Sequence, residues 1–229
     1  MKKIAIIPAR SGSKGIKDKN IIDFDGKPMM AYSIEAAMDS NCFSQIIVST
    51  DSTKYGSIAK EYGADVVYRD ERVSNDLATT YMVIKDLYTK IEHNHDYFVL
   101  LQPTSPLRTY KHIQGAIELF EERYNDYDFL VSVKEAEHSR LLVNPIDKDL
   151  SLKYFDVDYA NYRRQSYKDY VPNGSIFIAK IEAYFAQKHF FGAKSLAYIM
   201  NDLDSVDVDT ELDYKFALLC MEERKRMEK

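Results

Sequence analysis

A short segment near the start of the sequence combines basic residues with glycine and serine. It reads RSGSKGIKDKN, residues 10–20, and it follows closely on an apolar run that ends at Pro8. Small residues allow backbone N–H groups to approach an anion, and Arg10, Lys14 and Lys19 add positive charge. We therefore predict that this segment, the basic loop, binds phosphate. The alternative is a solvated surface loop whose charges serve no ligand.

Two common phosphate-binding motifs do not account for the basic loop. A P-loop requires a lysine directly after its second glycine, whereas Gly15 is followed by Ile16. A dinucleotide fingerprint requires G-x-G-x-x-G, and the spacing of Gly12 and Gly15 does not fit it. The loop is thus predicted to hold phosphate through its charge and its small residues.

A pair of carboxylates near the other end of the sequence suggests a metal site. Asp207 and Asp209 flank Val208 in SVDVDTELD, and side chains two apart in extended backbone point the same way. Two hard oxygen ligands suit Mg²⁺, with Mn²⁺ as a substitute. The alternatives are a helix N-cap for Asp209 and a surface acid for Asp207. Together with the basic loop, the pair indicates a nucleoside triphosphate whose remaining charge is neutralised by Mg²⁺.

The elements that must position these residues are strands and helices that alternate along the chain. This alternation predicts an α/β fold with a doubly wound, mainly parallel, Rossmann-like sheet. Loops that follow parallel strands meet at the carboxyl edge of such a sheet, where ligands bind. The predicted strands cover 4–7, 45–49, 64–68, 97–101, 129–133, 174–179 and 195–200. The predicted helices cover 28–38, 74–91, 109–121, 181–187, 210–225 and a segment that Asp51 or Ser52 caps and that ends near 62.

Residues 134–172 interrupt this rhythm within what we otherwise interpret as a single domain spanning 1–229. The insertion, as we call 134–172, is predicted to project from the domain with short strands or hairpins. Exposed tyrosines suit a protein interface, whereas the alternative is a solvated surface excursion. The tyrosines that support an interface are Tyr154, Tyr159, Tyr162, Tyr167 and Tyr170.

The composition argues against several kinds of partner. A net charge of −5 gives no bulk attraction to nucleic acid or to an anionic membrane, so any anion must be bound locally. No apolar run approaches the ~18 residues of a membrane span. Cys42 and Cys220 match no metal or redox spacing, which favours free thiols in a reducing cytoplasm.

Five segments, in this order, resemble the bacterial acylneuraminate cytidylyltransferases, also called CMP-sialic acid synthetases. The resemblance runs from Ile4 to about Leu218 and implies a nucleotidyltransferase-type fold. It also implies that the anomeric hydroxyl of a nine-carbon ulosonic acid attacks the α-phosphorus of CTP and releases pyrophosphate. The segments are IPARSGSKGIKDKN, IIVSTDS, LLQPTSPLR, YRRQ followed by VPNGSIFI, and SVDVDTELD.

The same resemblance implies roles for individual residues. Catalysis and triphosphate binding would depend on Arg10, Lys19 and Asp209, with Ser13 also at the nucleotide and Asn20 at the cytosine. On the sugar side, Gln102 would touch the sugar, Arg163 or Arg164 would pair with its carboxylate, and Phe190 and Phe191 would line the acyl pocket or else pack in the core. The insertion would be the dimerisation arm of a homodimer that completes the active site of the neighbouring subunit.

Several alternatives stay open at this stage. The SKG and PNG sequences favour a sialic or legionaminic acid over pseudaminic acid or KDO, and they do not separate the first two. Arg140, in EHSRLLVN, stands near a position where the family often has lysine. A catalytically inactive nucleotide-binding homologue is the competing class of protein, and the presence of Arg10, Lys19, Asp207 and Asp209 argues against it.

Overall fold

The computed structural model describes residues 1–13, 15–163 and 168–227. Its main feature is a sheet of seven strands, in the order β5-β4-β1-β6-β8-β7-β9, and a separate two-stranded hairpin holds β2 and β3. The strands are β1 (Lys3–Pro8), β2 (Asp23–Phe24), β3 (Lys27–Pro28), β4 (Gln45–Thr50), β5 (Asp65–Tyr68), β6 (Tyr97–Leu101), β7 (Phe129–Glu135), β8 (Tyr170–Lys180) and β9 (Ser195–Ile199).

Helices connect these strands and cover the sheet. Single 3₁₀ turns lie at Lys19–Ile21, Glu71–Val73 and Arg140–Leu142. The α-helices are α1 (Met29–Asp39), α2 (Thr53–Glu61), α3 (Thr80–Tyr88), α4 (Tyr110–Glu122), α5 (Ile181–Gln187) and α6 (Glu211–Met227).

The direction of the strands confirms the mainly parallel sheet. Strand β8 runs antiparallel to both of its neighbours, β6 and β7, while the other pairs of the seven-stranded sheet are parallel. Strand β1 pairs with β4 on one side and with β6 on the other, so the strand order reverses around it. Open α/β sheets form a crevice at such a reversal, and the basic loop leaves the carboxyl end of β1 at that point.

The apolar run of β1 is buried because both faces of the sheet are covered. Ala5 and Ile7 pack against α1, α2 and α4, whereas Ile4 and Ile6 pack against α3 and α5. Alternate side chains therefore enter opposite halves of the core, as a doubly wound fold requires. A third apolar cluster joins Val206 and Val208 to the inner face of α6.

One helix is shorter than the sequence predicts, and the cap of another is one of the two residues that the sequence offered. Helix α3 covers Thr80–Tyr88, so the expectation of a helix over 74–91 is too long at both ends. Asn75 Oδ1 accepts a hydrogen bond from the Leu77 amide at 2.9 Å, and Thr79 caps the helix. Local bonds of this kind hold the backbone in a turn instead of a helix. Ser52, and not Asp51, caps α2.

The insertion begins and ends on a two-stranded stem. Val133 to Glu135 pair antiparallel with Tyr170 to Pro172, which confirms a hairpin at its base. Between these strands the described residues hold one 3₁₀ turn and no strand, so the expectation of further short strands is wrong there. Asp158 illustrates the reason. Its carboxylate accepts hydrogen bonds from the backbone amides of Ala160 and Asn161, and such local bonds favour a turn over a strand. Tyr167 lies outside the described residues.

A buried polar cluster fixes the segment that carries the carboxylate pair. Arg224 of α6 donates hydrogen bonds to the Leu107 carbonyl, at 2.5 Å, and to Asp204. Asp204 also faces His112 Nε2 at 3.3 Å, and its side chain is only 14 % exposed. Burial opposes the ionised form, but the His112 hydrogen bond and the Arg224 charge hold the pKa of Asp204 below its usual range. Residues 201–209 are thereby anchored to α4 and α6.

No helix in the described ranges combines the length and the apolar character that crossing a bilayer requires.

Candidate functional site

A cleft of about 430 Å³ opens at the carboxyl edge of the sheet, beside the end of β1. The basic loop, the end of β6 and the segment before α6 form its walls, so chain segments far apart in sequence meet there. Six of the residues predicted for the nucleotide, the metal or the sugar lie together in its lining. The lining residues are Pro8, Arg10, Ser13, Gly15, Lys19, Asn20, Gln102, Pro103, Thr104 and Asp209.

The cations of the cleft are held in ion pairs. Lys19 Nζ lies 2.7 Å from Asp209 Oδ1, and Arg10 Nη1 lies 2.8 Å from Asp76 Oδ1. The Lys19 side chain is 12 % exposed, whereas the Asp209 side chain is 73 % exposed. The amine is thus fixed in the wall of the cleft, and the carboxylate is free to exchange partners. An entering phosphate would compete with both carboxylates for these cations.

Asp51 holds the beginning of the basic loop in place. Its two carboxylate oxygens accept hydrogen bonds from the Ser11 amide and the Ser11 hydroxyl, each at 2.8 Å. The sequence offered Asp51 only as a helix cap, and the structure gives it this different contact. Lys14, the remaining cation of the predicted phosphate site, lies outside the described residues.

Gly15 and Asn20 shape the floor of the cleft. A Cβ on Gly15 would lie 2.3 Å from the Asp209 carbonyl oxygen, so the loop can approach the carboxylate pair only with glycine there. Asn20 is buried and donates from Nδ2 to the Arg10 carbonyl at 2.9 Å. Its Oδ1 has no hydrogen-bond partner among the described residues and remains an acceptor for a ligand.

Asp207 is largely buried behind the cleft, and one of its oxygens lacks a partner. Oδ1 accepts no hydrogen bond within the described chain. Burial raises the pKa of Asp207; the Thr104 hydrogen bond opposes this rise, and the nearby Asp209 charge adds to it. A Cβ on Gly174, whose φ is +76°, would lie 2.9 Å from Oδ2, so this carboxylate is closely enclosed. A cation beside Asp207 would give Oδ1 a partner and would offset the repulsion between the Asp207 and Asp209 carboxylates.

The chain supplies few ligands for such a cation. Within residues 1–13, 15–163 and 168–227, no group of three histidine, cysteine or acidic side chains lies close enough to hold a metal ion. The donor set that does fit is the pair Asp207 and Asp209, with further oxygens from a bound phosphate. This matches Mg²⁺, which takes one or two carboxylates and keeps water or phosphate in its other positions.

A second cavity, of about 460 Å³, adjoins the first at Gln102. Both predicted phenylalanines line it. Phe190 also packs on Phe177 and Tyr184 at centroid distances of 4.9 and 4.8 Å, so it belongs to the core and to the wall. Phe191 is 49 % exposed. Besides Gln102 and two tyrosines, the polar residues of the lining are Thr79, Thr80, Lys188 and His189.

Arg163, one of the two arginines predicted to bind the sugar carboxylate, lines neither cavity in the described structure. Arg163 is exposed, and its Nη1 donates to the Tyr162 carbonyl at 3.0 Å. Arg164 lies outside the described residues. Arg140 is also exposed and faces Asp169 at 3.8 Å. Within one chain, the described residues of the insertion therefore line neither cavity.

Sequence reasoning gave no role to several residues around the cleft. Arg108 and Thr104 were visible only as parts of LLQPTSPLR, and Gly174 only as the glycine of VPNG. Asp76 had no signal, because a single acid in a polar loop is usually solvated. These residues act through contacts across the fold, which spacing along the chain does not reveal.

Comparison with known proteins identifies a family. A sequence model of the family described as Cytidylyltransferase matches residues 4–222. An N-acylneuraminate cytidylyltransferase of Escherichia coli O18:K1:H7 is 44 % identical over 97 % of this chain and 53 % of the relative. A CMP-N,N'-diacetyllegionaminic acid synthase of Legionella pneumophila is 32 % identical over 97 % of each chain. This chain therefore spans about half the length of the first relative and nearly all of the second.

Solved structures support the fold. The structure of CMP:2-keto-3-deoxy-manno-octonic acid synthetase complexed with CTP has a TM-score of 0.72 at 15 % identity, over 98 % of this chain and 100 % of that chain. A 4-diphosphocytidyl-2C-methyl-D-erythritol synthase from Anaerococcus prevotii has a TM-score of 0.67 at 13 % identity, over 96 % and 98 %. Identities this low establish a shared architecture, and they confirm the nucleotidyltransferase-type α/β fold.

Two aspartates three residues apart should respond in opposite ways to the same substitution. At pH 7 we expect Asp204→Asn to lower the free energy of unfolding by about 1–3 kcal/mol, because it weakens a buried charged network. We expect Asp207→Asn to raise it, because it removes a buried carboxylate whose ionised form is unfavourable. The measurement is urea denaturation of both variants and the wild type at pH 3, 5 and 7.

The pH dependence provides the control. The lowered pKa of Asp204 gives stabilisation that is present above the ordinary value of 3.8 and is lost as the pH falls through the folded pKa. The raised pKa of Asp207 gives a cost that grows as the pH rises above 3.8. Both differences from wild type should therefore shrink toward pH 3. A change of the same sign in both variants at pH 7 would refute this assignment.

Proposed function

The chain belongs to the cytidylyltransferase family, and from that premise we propose that it transfers CMP from CTP to a nine-carbon ulosonic acid of the sialic type, with release of pyrophosphate. The observation that carries the proposal is the meeting of the basic loop and Asp209 in one cleft, with Asp207 buried behind it and a second cavity beyond Gln102. The 44 % identical relatives named N-acylneuraminate cytidylyltransferase support the choice of acceptor.

The nucleotide would bind in the first cavity, along the basic loop. Its phosphates would replace Asp76 as the partner of Arg10 and Asp209 as the partner of Lys19. Ser13 and the backbone N–H groups of the loop would be further hydrogen-bond donors. Asn20 Oδ1, an acceptor without a partner, suits the exocyclic amine of cytosine. Uracil presents a carbonyl oxygen at that position, which gives a physical basis for preferring CTP to UTP.

Asp207 and Asp209 would hold Mg²⁺, with Mn²⁺ as a substitute. When bound, the ion would lower the negative charge on the phosphate oxygens and so favour departure of pyrophosphate. A phosphate that takes Lys19 leaves the exposed carboxylate of Asp209 available as a ligand. The buried Asp207 would be the fixed member of the pair, because Gly174 and Thr104 enclose its side chain.

The reaction forms one bond to phosphorus and breaks another. The anomeric oxygen of the sugar acid attacks the α-phosphorus, the bond from the α-phosphorus to the bridging oxygen breaks, and that oxygen leaves with pyrophosphate. Negative charge then moves toward the leaving group, where Arg10 and Lys19 lie in the proposed complex. Preorganised cations of this kind stabilise the transition state more than the ground state.

The sugar acid would occupy the second cavity. Gln102 stands at the junction of the two cavities, so it would contact the acceptor close to the reacting oxygen. The rings of Phe190 and Phe191 offer an apolar wall that suits the methyl group of an N-acyl substituent. Thr79, Thr80 and Lys188 offer polar contacts for hydroxyl groups at the other side.

Legionaminic acid is the second candidate acceptor. The observation that favours it is the legionaminate-forming relative, which matches this chain over 97 % of both lengths. Pseudaminic acid and KDO stand further from the proposal, although a pseudaminic acid cytidylyltransferase of Campylobacter jejuni is 31 % identical over 95 % of each chain. An inactive nucleotide-binding homologue remains the competing class, and the intact ion pairs of the cleft argue against it.

We also propose a homodimer in which the insertion is the arm of each subunit. Arg163 is exposed, and no arginine of the described residues lines the second cavity, where the sugar carboxylate would bind. The arm of a second copy would supply one. The insertion also exposes the apolar surface that such an interface needs, at Val143, Ile146, Leu150, Leu152, Tyr154 and Tyr159. A cytoplasmic location is proposed because CTP is an intracellular substrate.

Pyrophosphate release from each nucleotide and acceptor tests the function. CTP, UTP, ATP and GTP are to be combined with sialic, legionaminic and pseudaminic acids and KDO, with and without MgCl₂. We expect release only with CTP, only with Mg²⁺ or Mn²⁺ present, and fastest with sialic or legionaminic acid. Turnover of ATP in preference to CTP, or no release with any pair, would overturn the proposal.

Arg10 and Lys17 offer a matched pair within the basic loop. Lys17 is exposed and lies outside the cleft lining, so Lys17→Ala should leave the kinetics within about twofold of wild type. Arg10→Ala removes a charge-assisted hydrogen bond worth about 1.5–3 kcal/mol, so kcat/KM for CTP should fall roughly 10- to 150-fold. Steady-state kinetics with CTP varied at saturating sugar acid decide the matter. Small, equal effects in both variants would show that the loop is only a charged surface turn.

Sedimentation velocity tests the dimer. We expect a dimer at micromolar concentration, since a stable interface buries at least ~1,000 Å². Ile146→Glu should shift the protein toward monomer and reduce turnover, whereas Leu212→Glu, at an even more exposed apolar site on α6, should not. A wild-type monomer at micromolar concentration would refute the proposed arm.

A further inference from the structure

Arg108 is a charged side chain with almost no access to solvent. Only 2 % of the residue is exposed, and burial lowers the pKa of its guanidinium to about 9. Its hydrogen bonds go to backbone carbonyls and a hydroxyl, and no carboxylate pairs with it in the part of the chain described. A buried cation without a counter-ion is costly, so its position requires an explanation.

The contacts of Arg108 tie together three elements that meet behind the cleft. Nη1 donates to the Gln102 carbonyl at 3.2 Å and to the Ser175 carbonyl at 2.9 Å. Nη2 bonds the Ser33 hydroxyl, which in turn donates to the Gln102 carbonyl at 3.3 Å. One planar group thereby joins the end of β6, the middle of β8 and the first turns of α1.

The backbone positions that Arg108 holds carry the residues of the sugar side. Gln102 belongs to the linings of both cavities. Ser175 follows Gly174, and a Cβ on Gly174 would lie 2.9 Å from Asp207 Oδ2 and 3.8 Å from Gln102 Oε1. A shift of either carbonyl would therefore move the Gln102 side chain relative to Asp207, where the two cavities meet.

The geometry of a guanidinium explains why another residue would not serve. Arginine presents several N–H donors in one rigid plane, whereas lysine concentrates its donors at one atom on a flexible chain. Lysine could bond one of the two carbonyls well, but the fixed angle between them would be lost. Methionine would fill a similar volume and leave both carbonyls and the Ser33 hydroxyl without this donor.

We propose that Arg108 is a positioning residue for the acceptor: it sets the backbone of Gln102 and of the Gly174–Ser175 pair so that Gln102 meets the sugar acid beside the reacting centre. This inference rests on the proposed function. Arg108 touches neither substrate in the proposal, because it lies behind the backbone of the cleft. The nucleotide side is held by the basic loop, with which Arg108 makes no hydrogen bond in the described structure.

The test separates affinity for the acceptor from affinity for CTP and from stability. The enzyme is to be compared with Arg108→Lys and with Ser33→Ala, which removes one member of the clamp and leaves the guanidinium in place. We expect KM for the sugar acid to rise about fivefold in Arg108→Lys and about twofold or more in Ser33→Ala, the scale of one neutral hydrogen bond. The Kd for CTP, measured by calorimetry without sugar acid, should stay within about twofold of wild type.

A core variant controls for general loss of stability. Ile178 is fully buried in the other half of the core from Phe177 and lines neither cavity, so Ile178→Ala should lower Tm and leave KM for the sugar acid unchanged. If Arg108→Lys lowers Tm but changes neither KM nor kcat, Arg108 is structural only and the inference is wrong. An equal loss of CTP and sugar acid affinity would also overturn it.

Two further outcomes are decisive. Failure of Arg108→Lys to fold, with wild-type kinetics in Ser33→Ala, would assign the arginine to the core and refute the inference. A wild-type protein that releases no pyrophosphate with CTP and any ulosonic acid would instead overturn the proposed function itself, and this inference with it.

Discussion

The ion pair between Lys19 and Asp209 joins segments 190 residues apart in the chain. It can form only because β1 lies at the reversal of strand order, Gly15 lets the loop reach the Asp209 backbone, and Arg224 anchors the segment before α6 through Asp204. The same contact defines the cleft, since it places a fixed cation against an exposed carboxylate. In our proposal a net-acidic protein binds a polyanion in this way, because the required charge is concentrated at one edge of the sheet.

Two buried charges lie behind this pair, and both are unfavourable for folding when considered alone. Asp207 has an oxygen without a partner, and Arg108 has no counter-ion in the described chain. Stability alone would favour neutral side chains at both positions. Their arrangement makes sense if the cleft is preorganised for ligands, since in our proposal Asp207 would hold a cation and Arg108 would fix the backbone around it. This is the usual relation between a functional site and the stability of the fold that carries it.

Much of this architecture could be predicted from local sequence. The apolar run of β1, the doubly wound sheet and the position of the basic loop follow from hydrophobic patterning and the alternation of elements, because buried parallel strands leave a strong signal. The start of α3 could not be predicted. Side-chain hydrogen bonds of Asn75 and Thr79 delay the beginning of this helix to Thr80, and composition does not reveal such bonds. Asp51 was ambiguous for a similar reason, as an acid before a helix can cap it or, as here, bind another loop. The burial of Arg108 has no local signal in the sequence at all. In our proposal Arg163 acts in the active site of a second subunit, so the sequence of one chain does not reveal where it binds.

The most direct test of the account is the effect of Mg²⁺ on CTP binding in the absence of sugar acid, measured by calorimetry for the wild type and for Asp209→Asn, with the exposed Asp202→Asn as control. If the basic loop and the carboxylate pair form one site, as we propose, Mg²⁺ should tighten CTP binding to the wild type and to Asp202→Asn at least about tenfold, a difference of about 1.4 kcal/mol. In Asp209→Asn this dependence on Mg²⁺ should largely vanish, while CTP alone should bind no more weakly than to the wild type, because Lys19 is released from its partner. An unchanged effect of Mg²⁺ in Asp209→Asn would contradict the account and separate the loop from the carboxylates.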